Sequence, residues 1–181
     1  MNPIRLGAPA VEPVAVAELR AHLRLEDGAE DALLATLIAA AREIVEARSR
    51  RVLLESRWRA VLPWRGARLA LPLSPLTALV SVVRLTPDGV AASLPAELCH
   101  LDAAADPPRL RLDALSPGPD ARVAVEVMAG YGAVPADVPE ALRLAVRLLA
   151  ARWLEHRGDG EPPTWPADLD ALVAPHRPVR L

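Results

Sequence analysis

The sequence contains no lysine, no phenylalanine and no glutamine, and its single asparagine is Asn2. Ala, Arg, Leu, Pro and Val dominate instead, the bias expected of a GC-rich genome. Arginine is therefore the available strong cation. Its use in place of lysine loses the usual implication of bidentate phosphate or carboxylate recognition. The lack of lysine also excludes a phosphate-binding Gly-Lys-Ser/Thr loop. The one cysteine, Cys99, excludes an intrachain disulfide. No stretch of about 18 uncharged apolar residues occurs, so no membrane-spanning helix is predicted. The opening MNPIRLGAPAVEP lacks the apolar centre of a secretory signal. With the single cysteine, this predicts a cytoplasmic product. Charge of neither sign prevails: the formal net charge is -2, so bulk charge points to no polyanionic partner.

What is present is an ordinary globular composition, 52% hydrophobic and 24% charged over 181 residues, which suits one domain with a sizeable insertion. After Pro13, Val16, Leu19 and Leu23 form one apolar helical stripe, and LEDGAED ends it with Gly28 as the expected turn. From Glu30 to Ser49, Leu34, Leu37, Ile38, Ala41, Ile44 and Val45 keep the period of an amphipathic helix. Acids in its first turn and Arg48 in its last suit the helix dipole. At Arg51 the period changes to two. Leu54, Ser56, Trp58, Ala60 and Leu62 alternate with Glu55, Arg57, Arg59 and Val61, the pattern of a strand with one buried face. RLALPL, LVSVVRL, RLRL at 109–112 and RVAVEVMAGY are further strands, and TPDGV at 86–90 is a hairpin turn. After Pro139 the helical period returns, with Leu142, Ala145, Val146, Leu149 and Trp153 on one face, and Gly158 and Gly160 end it. A last short helix is predicted over 167–174, stopped by Pro175, with an extended tail beyond.

The expected fold is thus α+β: a four-helix, mainly antiparallel helical core (14–50 and 138–174), a β-rich insertion (51–131) between the second and third helices, and a C-terminal tail (175–181), all in a single domain of residues 1–181.

Motifs with chemistry are scarce. AGYGAVPADVPE at 129–140 resembles a glycine-rich loop opening on a helix, but Pro135 stands where a dinucleotide fingerprint needs its third glycine. It reads as a strand-to-helix connection eased by Gly130 and Gly132. His22, His100, His156 and His176 form no H-x-x-x-H pair, and neighbours Cys99 and His100 would point to opposite faces of a strand. No catalytic, cofactor or metal site is predicted. One charge feature stands out: from Arg48 to Arg68 there are seven arginines against one acid, Glu55, with Trp58 and Trp64 interleaved. A nucleic-acid-binding regulator could use such a segment. The outward phase of Arg57 and Arg59 favours a solvated face or a subunit interface. A small enzyme without a recognisable motif is the remaining alternative.

The order and spacing of these segments are recognisable. The AGYG…VPEALR run at 129–143, RWLEHR at 152–157 and the terminal LVAPHRPVRL resemble the head–tail connector (adaptor) family of long-tailed phages and phage-derived gene transfer agents. The resemblance spans nearly the whole chain. It departs from the family at Ala15, where Ser or Thr usually caps the first helix, and at His176 and Leu181, where aromatic residues are usual. It implies a non-enzymatic structural protein that forms a dodecameric ring under the portal, at the particle neck, after assembly in the bacterial cytoplasm. Its partners would be the portal, a stopper or tail-completion protein and further copies of itself, with DNA only as cargo in the channel and no membrane. It further implies that the tail, Pro175, His176, Arg177, Pro178, Val179, Arg180 and Leu181, contacts the portal.

Overall fold

The structure, a computed structural model, describes residues 3–113, 117–118, 120–156 and 165–178. The predicted helix-ending glycines Gly158 and Gly160 lie outside them. The chain divides into two compact units: Met1–Ala10 with Glu55–Tyr131, and Val11–Leu54 with Gly132–Leu181.

The first unit is built on strands: β1 (Ile4–Arg5), β2 (Ser56–Pro63), β3 (Arg68–Ala70), β4 (Leu76–Leu85), β5 (Ala91–Ser93), β6 (Cys99–Asp102), β7 (Arg109–Leu112) and β8 (Arg122–Ala129). A five-stranded sheet runs β1-β2-β8-β4-β5 and a three-stranded sheet β3-β7-β6, with every pairing antiparallel. β8 is central because its β-branched face suits burial: Val123, Val125 and Val127 are enclosed, with Ala60 of β2 and Val82 of β4 beside them. Leu69, Leu110 and Leu112 form the inner side of the smaller sheet, and β4 meets β6 where the sheets approach. The predicted TPDGV turn closes the β4–β5 hairpin. Gly89 takes φ 86°, and the Thr86 N–H donates to the Val90 carbonyl at 3.0 Å.

This unit overturns the expectation of a mainly helical four-helix core carrying a β insertion. Four α-helices are present among the described residues, but the strands are no appendage to them. They make two antiparallel sheets around a core of their own, and N-terminal Ile4 and Arg5 pair with β2. Long helical periods are strong signals and short strands weak ones. β1, β5 and β6 are too short to carry a legible period.

The second unit holds α1 (Val16–Leu23), α2 (Asp31–Ser49), α3 (Glu140–Glu155) and α4 (Ala167–Val173). α2 packs on all three others, with Leu34, Ile38, Ala41 and Val45 of the predicted apolar stripe buried; Leu37 is half-buried and Ile44 is exposed. α3 answers with Leu142, Ala145, Val146 and Leu149. Trp153, expected on that face, is only half-buried; Ala150, Ala151 and Leu154 are the enclosed residues of the last turns. α1 ends just before the predicted LEDGAED break, at Arg24, which adopts a left-handed φ of 56° and donates its N–H to the Ala21 carbonyl at 3.2 Å.

Candidate interaction surfaces

The 129–140 connection is a structural joint. Gly130 takes φ 141°, and Gly132 bridges Leu54. The Asp137 carboxylate folds back to accept the Val134 N–H at 3.1 Å. A Cβ on Gly132 would lie 2.1 Å from Asp137 Oδ2, so the glycine makes room for that carboxylate. Pro139 then caps α3.

Several arginines of the 48–68 segment are engaged by other residues of the chain. Arg57 and Arg59, on the outward face of β2, clamp Glu126 of β8, each Nε donating to a different carboxylate oxygen at 2.9 Å. These two guanidinium groups bury Glu126 and hold its carboxyl below the ordinary range, Arg59 first and Arg57 next. Arg5 stacks 4.5 Å from the Trp58 ring centroid, and Arg84 lies 5.9 Å from that of buried Trp64. Both tryptophans are thus covered rather than offered to bases, and the nucleic-acid reading is not favoured.

The tail residues are placed as follows. Pro175 does not stop the helix abruptly: Ala174–His176 continue it as one 3-10 turn, and the backbone becomes extended at Arg177. The His176 carbonyl accepts from Arg51 Nε at 2.6 Å. Burial, and then the Arg51 charge, hold the His176 imidazole below its ordinary pKa. Arg177 donates Nε to the Arg48 carbonyl at 2.9 Å and Nη2 to Asp170 Oδ1 at 2.6 Å. Trp165 Nε1 donates to the same oxygen at 3.0 Å, and Arg48 stacks 5.1 Å from the Trp165 centroid. The hydrogen bonds from Arg177 and then Trp165 hold the Asp170 carboxyl below its usual value. Pro178 lines an open groove with Ala47, Arg48 and Arg50 at the end of α2. The structure therefore brings the predicted residues 175–178 together on α2 and α4. Val179, Arg180 and Leu181 lie outside the described residues. Sequence reasoning missed Asp170 and Trp165 as partners of the tail; the one available signal was their closeness in sequence to Arg177.

Elsewhere, Cys99 is buried and His100 exposed on β6, the opposite faces expected. Among the described residues no group of three or more His, Cys, Asp or Glu could hold a metal, and no helix is long and apolar enough to cross a membrane.

No protein-family model and no curated protein matches the chain. Solved structures do. It is 32% identical to a chain in the neck of an empty gene transfer agent particle computed with C6 symmetry. The TM-score is 0.83, and 100% of this chain and 97% of that chain are covered. It is 31% identical to a chain of the virion of a native gene transfer agent particle, at a TM-score of 0.83 and the same coverage. The chain belongs to the neck adaptor family of gene transfer agent particles. A third neck adaptor likeness, 31% identical with a TM-score of 0.79, is to a chain in the neck of a native particle computed with C12 symmetry, again covering 100% and 97%. Among the described surfaces, the contacts of Arg177 and His176 with Asp170, Arg48 and Arg51 form a well-connected cluster of charged hydrogen bonds.

Proposed function

We propose that this protein is a structural adaptor that forms a ring at the neck of a phage-like particle, joins the portal to the stopper or tail, and extends the DNA channel. The observation that carries the reading is the end-to-end likeness to neck chains of gene transfer agent particles. The six-fold and twelve-fold symmetries of those necks support a homo-oligomeric ring, which we take as dodecameric. Its work is mechanical rather than enzymatic, in keeping with a virion neck component.

Residues 175–181 are the proposed portal contact. Their base is fixed by the Arg177–Asp170 pair and the Arg51–His176 bond. A peptide fixed at its base loses less entropy on docking than a free end does. The test is electron microscopy of the purified protein, alone and mixed with its portal. A ring coaxial with the portal is expected. A protein that binds neither portal nor itself, or that behaves as a monomer on duplex DNA, refutes the adaptor reading.

A further inference from the structure

The three-stranded sheet carries an unusual charge arrangement. Its register places Arg68, Arg111 and His100 side by side across β3, β7 and β6, and Ala70, Arg109 and Asp102 in the next outward row. The intervening row contains buried Leu69 and Leu110 and faces inward. Like charges directly opposite on neighbouring strands are destabilising, yet Arg68 stands opposite Arg111. Asp113 relieves part of this: its Oδ2 lies 3.2 Å from Arg111 Nη2 and 3.2 Å from His100 Nε2. The guanidinium groups of Arg68 and Arg109 make no ion pair among the described residues. These side chains border an open groove of about 340 Å³ with Leu101 along it. The other basic groove, at the end of α2, differs. There Arg177 is matched by Asp170, and Arg48 lies on Trp165.

An anion is therefore the missing partner of this sheet face, and a second copy of the chain can supply it. Between α1 and α2, Glu26 and Asp27 are exposed, and neither makes an ion pair among the described residues. In contrast, nearby Asp31 is held by Arg20. Guanidinium forks match carboxylates bidentately. A cyclic ring needs two different, complementary surfaces on every copy; among the described residues, Arg68 and Arg109 are exposed cations without ion pairs, and Glu26 and Asp27 are two adjacent exposed carboxylates without ion pairs. We propose that the Arg68–Arg109–Arg111 face receives the Glu26–Asp27 loop of the neighbouring copy and forms a ring-closing contact. The inference rests on the ring reading above.

Charge reversal tests it with the full-length protein, assembled alone or on portal rings and counted by electron microscopy. Melting temperatures serve as the control for folding. Arg68→Glu with Arg109→Glu should raise the concentration needed for rings by at least about tenfold. Glu26→Arg with Asp27→Arg should do the same. An equimolar mixture of the two variants should recover assembly as rings of alternating copies, because every contact then pairs opposite charges. Combining all four reversals in one chain should also recover it. Rings from the reversed variants at the wild-type concentration overturn the proposal, as do single defects that neither the mixture nor the combination repairs. Rings that persist while retention of duplex DNA falls also overturn it and give the face to phosphates. If the wild-type protein forms no ring alone or on portal, the adaptor reading fails instead, so the two failures are distinct.

Discussion

At the scale of single residues, two charged side chains sit where a sequence gives little warning of them. Arg42 falls within the apolar stripe of α2 and is 3% exposed, held by Glu12 at 2.8 Å and Glu46 at 3.1 Å. Burial pulls its pKa down, but Glu12, Glu46 and Glu43 outweigh that, and the guanidinium stays above its ordinary value. Glu126 is the reverse case, a carboxylate in the central strand β8, enclosed by two arginines. Its lowered pKa fixes a sign. The stabilisation is complete above the ordinary carboxylate range and is lost as pH falls through the folded value. Glu126→Gln should therefore cost about 1–2 kcal/mol at pH 7, the modest end for charged hydrogen bonds because Arg57 and Arg59 are half exposed. Denaturant melts across pH should show the gap between wild type and variant closing toward acid. A gap independent of pH would show that the carboxylate's charge is not what the arginines hold.

At the scale of elements, legibility followed pattern length. α2, β7 and β8 emerged from the sequence because a regular apolar period runs their whole length. β5 has none, since Ala91, Ala92 and Ser93 are all exposed at a sheet edge, and the two-residue β1 is too short to have a period. Trp153 was misplaced by the drift of a helical stripe over four turns, which moved the enclosed face toward Ala150 and Leu154. The tail residues were legible as a segment, but their docking was not: the Arg48 contact joins distant parts of the chain, and the nearby Asp170 pairing falls at no helical or strand period. Two expected outcomes belong here. Ala15 caps α1 with extended backbone, φ -74° and ψ 148°, but has no side-chain acceptor. Ala15→Ser should add about 1 kcal/mol of stability, measured by urea melts; no gain would mean that the first turn is already satisfied by other groups. Gly132→Ala should cost about 1–3 kcal/mol, because the added carbon overlaps Asp137 down to its Cβ at 2.6 Å. The double variant with Asp137→Ala should cost less than the sum of the two single changes.

At the scale of the whole molecule, the proposed portal contact begins where the tail leaves the fold. Extended backbone begins at Arg177, and the last described contacts tie 176–177 to α2 and α4. Truncation at two points therefore separates stability from docking. Removing 179–181 leaves the Arg177–Asp170 pair and the Arg51–His176 bond intact, so the melting temperature should be unchanged. Removing 175–181 takes those bonds away and exposes part of the α2 and α4 surface, which should lower stability measurably while leaving the buried cores in place. If the tail is the portal anchor, both truncations should abolish co-sedimentation with portal, including the one that does not change the melt. Arg177→Ala should fall between them: the chain end is still present but its base is freed, so more conformational freedom is lost on docking. It should weaken portal binding without abolishing it. Portal binding that survives loss of 175–181 at full affinity would move the contact to the body of the chain. Binding lost only in proportion to the melting temperature would make the tail a structural strap instead of an anchor.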